Sequence, residues 1–159
     1  VQSYSADTKV NPPLRLTSDQ EALIAGLCDG TIDAIATDHA PHHRDEKEVE
    51  YNSALSGISG FETAFALCMD ALVHAHHMTM EEFVQVACTN PAKILGKNCG
   101  KLEVGRDADF IIADIAKEWT VDRKEFVSKG KNTPFDGRTV HGRVLETYVG
   151  GKRIYKYED

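Results

Sequence analysis

Asp38, His39 and His42 are the residues whose types and spacing first suggest chemistry. They follow a short, β-branched and mostly apolar run, Thr31 to Thr37 (TIDAIAT). Such a run reads as a parallel strand buried on both faces. In parallel α/β architectures, functional side chains gather where strands end at their C-terminal edge. A carboxylate there is held by a rigid backbone and faces an open site. Aspartate can ligate a metal, and it can take a proton from a water that a metal has acidified. The residues alone equally allow a turn aspartate beside two surface histidines. A catalytic zinc takes about three protein ligands, and one Asp with two His does not make that set.

The surrounding elements follow from local signals. Residues 1–16 read as irregular chain, because Pro12-Pro13 fits neither a helix interior nor a central strand. Ser18-Asp19-Gln20-Glu21 has the pattern of a capping box and predicts a helix that stops at Gly30. Helix, stop and buried strand in close order suggest an α/β unit. A polar stretch from His43 to Ser56, just beyond Pro41, is long enough to be a functional loop. Ser59-Gly60-Phe61-Glu62 reads as a second box. Its helix would put Phe61, Ala64, Phe65, Cys68, Ala71, Leu72 and Ala75 on one face. Thr79-Met80-Glu81-Glu82 reads as a third box. Asn90-Pro91 predicts a short helix with Asn as N-cap, ending near Gly96.

After Gly100 the character changes. Phe110-Ile111-Ile112, Trp119-Thr120-Val121, Val144-Leu145 and Thr147-Tyr148-Val149 are strand-like. Gly150-Gly151 predicts a two-residue hairpin turn joining Thr147–Val149 to Arg153–Tyr155. The expected division is therefore residues 1–99, helical with one buried strand, and residues 100–159, a small β-subdomain.

Composition narrows the function classes. The chain has 159 residues and a formal net charge of -7, with no Lys/Arg-rich run. That argues against a nucleic-acid partner. No apolar stretch approaches a membrane span. Cys28, Cys68, Cys88 and Cys99 lack a C-x-x-C pair and read as free thiols behaving as small hydrophobes in a reducing cytoplasm. His74, His76 and His77 read as an exposed helix face, His39 as support for its neighbour Asp38, and His141 as structural. Arg15, Arg44 and Lys47 read either as surface charge or as positive potential near an anionic ligand.

Several blocks together resemble the dihydroorotases of the amidohydrolase superfamily. These are KVNPPLR at 9–15, DGTIDAIATDHAPH at 29–42, GISGFE at 57–62 and NTPFDG at 132–137. GKLEVGRDADFIIAD, from Gly100 to Asp114, is similar to the strand pair that ends many amidohydrolases. The resemblance implies an α/β fold: the last part of a metal-dependent (β/α)8 barrel, with residues 31–37 as its eighth strand. A small C-terminal β-subdomain, part of a β-sandwich, would follow. It also implies one or two zinc ions per complete subunit. The implied activity is interconversion of N-carbamoyl-L-aspartate and L-dihydroorotate in pyrimidine synthesis.

Asp38 matches the family's strand-eight aspartate, both metal ligand and acid/base. Asn11, His42, Ser56 and Gly57 match positions that contact substrate. Where Ser56 stands, the family often has an aromatic residue, which leaves the packing of that loop open. The family's His-x-His pair and its bridging carboxylate or lysine have no counterpart here. The chain also opens on Val1-Gln2-Ser3-Tyr4 rather than on Met. The expectation is a C-terminal piece of a longer enzyme, inactive alone. A homo-oligomer is expected, with aspartate transcarbamoylase as a possible partner. Allantoinase or hydantoinase chemistry, or a non-catalytic scaffold, are the competing readings.

Overall fold

The structure is a computed structural model that describes residues 4–158. Residues 1–3 of the expected irregular stretch lie outside the described residues. From Tyr4 that stretch is irregular apart from a 3-10 turn at Ala6–Thr8, and the Asn11–Pro12 peptide is cis.

Helix α1 spans Thr17–Asp29 and ends on Gly30 in the left-handed region. Its start lies slightly before the expected box: the Leu16 N–H donates to the Asp19 carboxylate at 3.0 Å. The four-residue helix α2 (Arg44–Lys47) begins at His43, whose Nδ1 accepts from the Asp45 N–H. Helix α3 (Phe61–Cys68) runs on into a π-helical turn, Met69–His74. Helix α4 (Met80–Val84) carries the expected box, with Thr79 and Glu82 bonding reciprocally. A second π-helical turn, Gln85–Thr89, joins α4 to α5 (Asn90–Ile94).

Three antiparallel strands follow: β1 (Phe110–Thr120), β2 (Thr139–Val149) and β3 (Lys152–Lys156), in the order β1-β2-β3. Gly150 and Gly151 both have positive φ and form the expected hairpin turn. Only glycine enters that turn at no steric cost.

The core has two parts, divided by α3 and its π-helical extension. Met69, Leu72, Met78, Phe83 and Val86 form one cluster, against which Ile24, Leu27 and Ile35 pack. Ala66, Val121, Phe126 and Val140 form the other, toward the sheet. The fully buried stripe is thus Thr63, Ala66, Met69 and Leu72; of the expected face Leu72 is buried and Phe65 and Cys68 pack against the core, whereas Phe61 is 70% exposed and Ala71 and Ala75 are exposed. The helix is sandwiched between helices and sheet, so no single face could be read from spacing.

Four other local expectations are corrected. Residues 31–37 form no strand ladder, because no neighbouring strand lies beside them among the described residues. Their chain is instead held by the Ile35 N–H on the Val86 carbonyl and by a parallel bridge between His39 and Ile58. Likewise Leu102–Val104 is exposed turn rather than the first of a strand pair, and the sheet begins only at Phe110. Asn90 is not an N-cap. It lies inside α5, with its amide donating to the Asp33 carbonyl and accepting from Gln85. No cysteine is paired, and Cys28, Cys88 and Cys99 are exposed rather than buried among apolar neighbours.

No helix among the described residues is long and apolar enough to cross a membrane.

Candidate active site

Asp38 is exposed and sits at φ 44, a left-handed conformation. Aspartate is among the few non-glycine residues that visit this region. Such strain persists only where the surroundings enforce it, and it clusters at functional sites. Its carboxylate has neither hydrogen bond nor ion pair among the described residues. Both neighbours of the turn are fixed. The Ala40 N–H donates to the Ile58 carbonyl at 2.9 Å. His39 Nδ1 accepts from the N–H groups of Gly60 and Phe61 at 3.1 and 3.3 Å, and its ring stacks on Phe61 with centroids 3.9 Å apart.

His39 therefore does the work expected of Ser59 in the second box: it caps α3. Ser59 and Glu62 are used elsewhere. Ser59 Oγ donates to the Gly130 carbonyl at 2.7 Å and also lies 3.2 Å from Asn132 Oδ1. Glu62 accepts from the Ser128 N–H at 2.9 Å.

The loop from His42 to Gly57 closes on itself. His42 Nε2 is 2.9 Å from the Ser56 carbonyl, and its Nδ1 is 3.6 Å from Glu46. Gly57 is buried with φ 150; a Cβ there would stand 2.7 Å from Ala40 Cβ and 2.8 Å from His42 Nε2. No side chain fits that approach, so glycine is required at this point. The Gly57 N–H donates to the Lys9 carbonyl at 2.9 Å, which brings the segment just before Asn11 against the loop. Asn11 itself is exposed, and its side chain has no hydrogen bond among the described residues. Of the expected site residues, His42, Ser56 and Gly57 are thus in direct contact, and Asn11 adjoins them through Lys9. Asp38 stands three residues beyond Ile35, on the segment that pairs with Ile58.

Two further residues build this neighbourhood, and the first carried no such signal in the sequence. Asn132 is buried and satisfies both ends of its amide. Its Nδ2 donates to the carbonyls of Ala40 and Gly57 at 3.1 and 3.0 Å, and its Oδ1 accepts from the His42 N–H at 2.9 Å. It lies in the NTPFDG block, which marked likeness but no role. Lys47, read from the sequence either as surface charge or as positive potential near an anionic ligand, is only 5% exposed. Its Nζ donates to the carbonyls of Leu55 and Gly57 at 2.9 and 3.2 Å. Burial holds its ammonium below the ordinary lysine range, against an opposing pull from Asp7.

His74 and His141 are structural. His141 Nδ1 is 2.9 Å from Asp70 Oδ1, and His74 Nε2 is 2.9 Å from the Ile115 carbonyl; both contacts join the π-helical turn to the sheet. No three His, Cys, Asp or Glu side chains converge as a metal site among the described residues. The donor set of this chain does not suffice for a metal: Asp38 could be one ligand, and the others would have to come from outside it.

Comparison with known proteins fits this geometry. The family described as "Amidohydrolase family" matches residues 6–154. The dihydroorotase of Acetivibrio thermocellus is 50% identical over 155 residues, covering 98% of this chain and 36% of that protein. That of Thermoanaerobacter sp. is 52% identical over 156 residues, with 98% and 36% covered. The chain thus spans about a third of the length of these relatives. Among solved structures, the L-hydantoinase (dihydropyrimidinase) from Arthrobacter aurescens superposes with a TM-score of 0.90 at 33% identity, over 97% of this chain and 35% of that one. The D-hydantoinase from Thermus sp. gives 0.85 at 27% identity, over 95% and 34%. The fold is therefore part of a (β/α) barrel followed by a small, unclosed three-stranded sheet, and the chain belongs to the amidohydrolase family.

Proposed function

We propose that the longer protein carrying this chain is a dihydroorotase. It interconverts L-dihydroorotate and N-carbamoyl-L-aspartate and depends on zinc, most of whose ligands lie outside this chain. The observation that carries the reading is Asp38: exposed, unpaired, and held in a left-handed turn between fixed neighbours. A carboxylate left without a partner at such a position is available to a ligand or a proton.

Zinc, held in part by Asp38 and otherwise by ligands outside this chain, would supply Lewis acidity that acidifies a water and polarises the scissile carbonyl. Asp38 takes the proton of the attacking water and delivers it to the amide nitrogen that leaves the ring. In the reverse direction the same carboxylate accepts a proton from the attacking nitrogen. His42, Ser56 and Gly57 receive the substrate, with Asn11 beside them. His42 Nε2 turns from the Ser56 carbonyl to a substrate carboxylate. The carbonyl it releases is free to accept from a ring N–H.

A hydantoinase-type activity is the second reading, favoured by the backbone likeness to the L-hydantoinase. The higher identity to dihydroorotases, 50% against 33%, supports the first. The test is to express the longer protein with zinc and assay L-dihydroorotate, hydantoin and allantoin side by side. Turnover of dihydroorotate at least tenfold faster than of the others is expected. Preference for hydantoin or allantoin would overturn the reading.

A further inference from the structure

Lys47 is a buried cation with no carboxylate on it among the described residues. Placing a charge in such a position is costly unless the charge itself is used or its hydrogen bonds are indispensable. Here every polar contact is a backbone carbonyl. Leu55 and Gly57 accept at 2.9 and 3.2 Å, and Lys9 lies at the long limit of 3.5 Å. These three carbonyls flank the expected substrate contacts: Leu55 and Gly57 bracket Ser56, and Lys9 precedes Asn11 by two residues. The Lys9 carbonyl also accepts the Gly57 N–H, and the Gly57 carbonyl also accepts from Asn132. The ammonium thus sits behind the point where both segments meet. Helix α2 is secured on the same loop by the Leu55 N–H on the Glu46 carbonyl at 3.1 Å.

A neutral donor could tie carbonyls together. A lysine also brings charge to a loop that, on the reading proposed above, receives anionic substrates, with one carboxylate on L-dihydroorotate and two on N-carbamoyl-L-aspartate. The charged groups acting on it are Asp7, which favours the ammonium, and Lys9, which opposes it. Asp7 is itself engaged by Arg123 at 2.9 Å, so its charge is shared. An anion arriving at Ser56 would therefore meet a positive charge that no adjacent carboxylate fully cancels.

We propose that Lys47 is a positioning residue for anionic substrate: it staples Leu55 and Gly57 to the Lys9 segment and sets a positive charge behind the Ser56–Gly57 backbone. The inference rests on the dihydroorotase reading for its ligand but not for its staple. Two variants of the longer protein separate these. Lys47→Gln keeps a donor and loses the charge, whereas Lys47→Arg keeps the charge and covers a poor fold in the first.

Amide exchange of the peptide spanning residues 55–58 is expected to speed up at least tenfold in Lys47→Gln. Unchanged exchange there overturns the staple, whatever the enzyme's substrate proves to be. For dihydroorotate, KM is expected to rise at least tenfold in Lys47→Gln with kcat within about threefold, and to recover in part in Lys47→Arg. A neutral cyclic amide, hydantoin, should show no such rise in KM. An unmoved KM for dihydroorotate, or an equal rise for hydantoin, overturns the role of the charge. Absence of any dihydroorotate turnover in the unaltered protein refutes the proposed function instead, and the exchange result then decides the staple alone.

Discussion

Two regions of the molecule are specified by different means. Around residues 38–60, the chain is fixed by buried polar groups that reach across the sequence: Asn132 onto Ala40, His42 and Gly57, and Ser59 onto Gly130. The hairpin at β2 and β3 is fixed by its own ladder and by two glycines at a turn. The first region needs partners about 70 to 90 residues away, whereas the second needs almost nothing beyond its own strands. A site that must hold strain and open carboxylates is built from long-range contacts. A sheet that serves as packing can be built locally.

The largest effect that would sharpen this contrast is on turnover. Asp38→Ala in the longer protein is expected to cut kcat by at least about a hundredfold, the low end for a general acid/base. The melting temperature of the metal-free protein should change little, because the side chain has no partner among the described residues to lose. A near-normal rate would remove Asp38 from the chemistry.

Next comes stability at the long-range hub. Asn132→Ala strands the Ala40 carbonyl and the His42 N–H and leaves the Gly57 carbonyl with Lys47 alone. Urea denaturation should show a loss of about 2 kcal/mol, given about 1–3 kcal/mol for a buried polar group left unsatisfied. If the midpoint does not move, the polar network is not what holds the loop.

The local region should answer more weakly. Gly150→Ala places a Cβ at positive φ and should cost about 1 kcal/mol, read as a small shift in the same denaturation curve. A loss as large as that of Asn132→Ala would erase the contrast.

The smallest effect concerns the outer apolar surface. Ile111, Ile112, Ile154 and Val127 are exposed, Val127 to 91%. Exposed apolar faces and strand edges invite association. Sedimentation of this chain expressed by itself should show concentration-dependent self-association, reduced by Ile111→Thr. A strictly monomeric boundary would show that this surface is inert.

What the sequence made legible follows the same division. The Gly150-Gly151 turn, the Thr79–Glu82 box and the Gly30 stop depend on neighbours within a few residues, and each formed where the pattern put it. The Ser59–Glu62 pattern was equally good and failed, because Gly130, Asn132 and Ser128 compete for its two polar side chains while His39 takes over the cap. The stripe on α3 shifted because the sheet covers a side that spacing along one helix does not reveal. Lys47 gave no sign of burial, since nothing in RDEK distinguishes it from a solvated charge run. Its partners are carbonyls, which every residue has. Asp38 and Gly57 were visible through likeness to a family. The φ of 44 at the first and the 2.7 Å approach at the second are what give those positions a physical reason.

Gly130 has a practical implication. A Cβ at this position would lie 2.6 Å from Pro41 Cβ and 2.7 Å from the His42 nitrogen, so the segment after β1 is threaded against the start of the His42–Gly57 loop. A chimera that exchanges everything beyond residue 100 for the tail of a relative would import that thread as well. Its grafted enzyme would inherit the donor's loop setting along with the donor's sheet, so swaps meant to alter only the outer layer should retain residues 128–133 of the recipient.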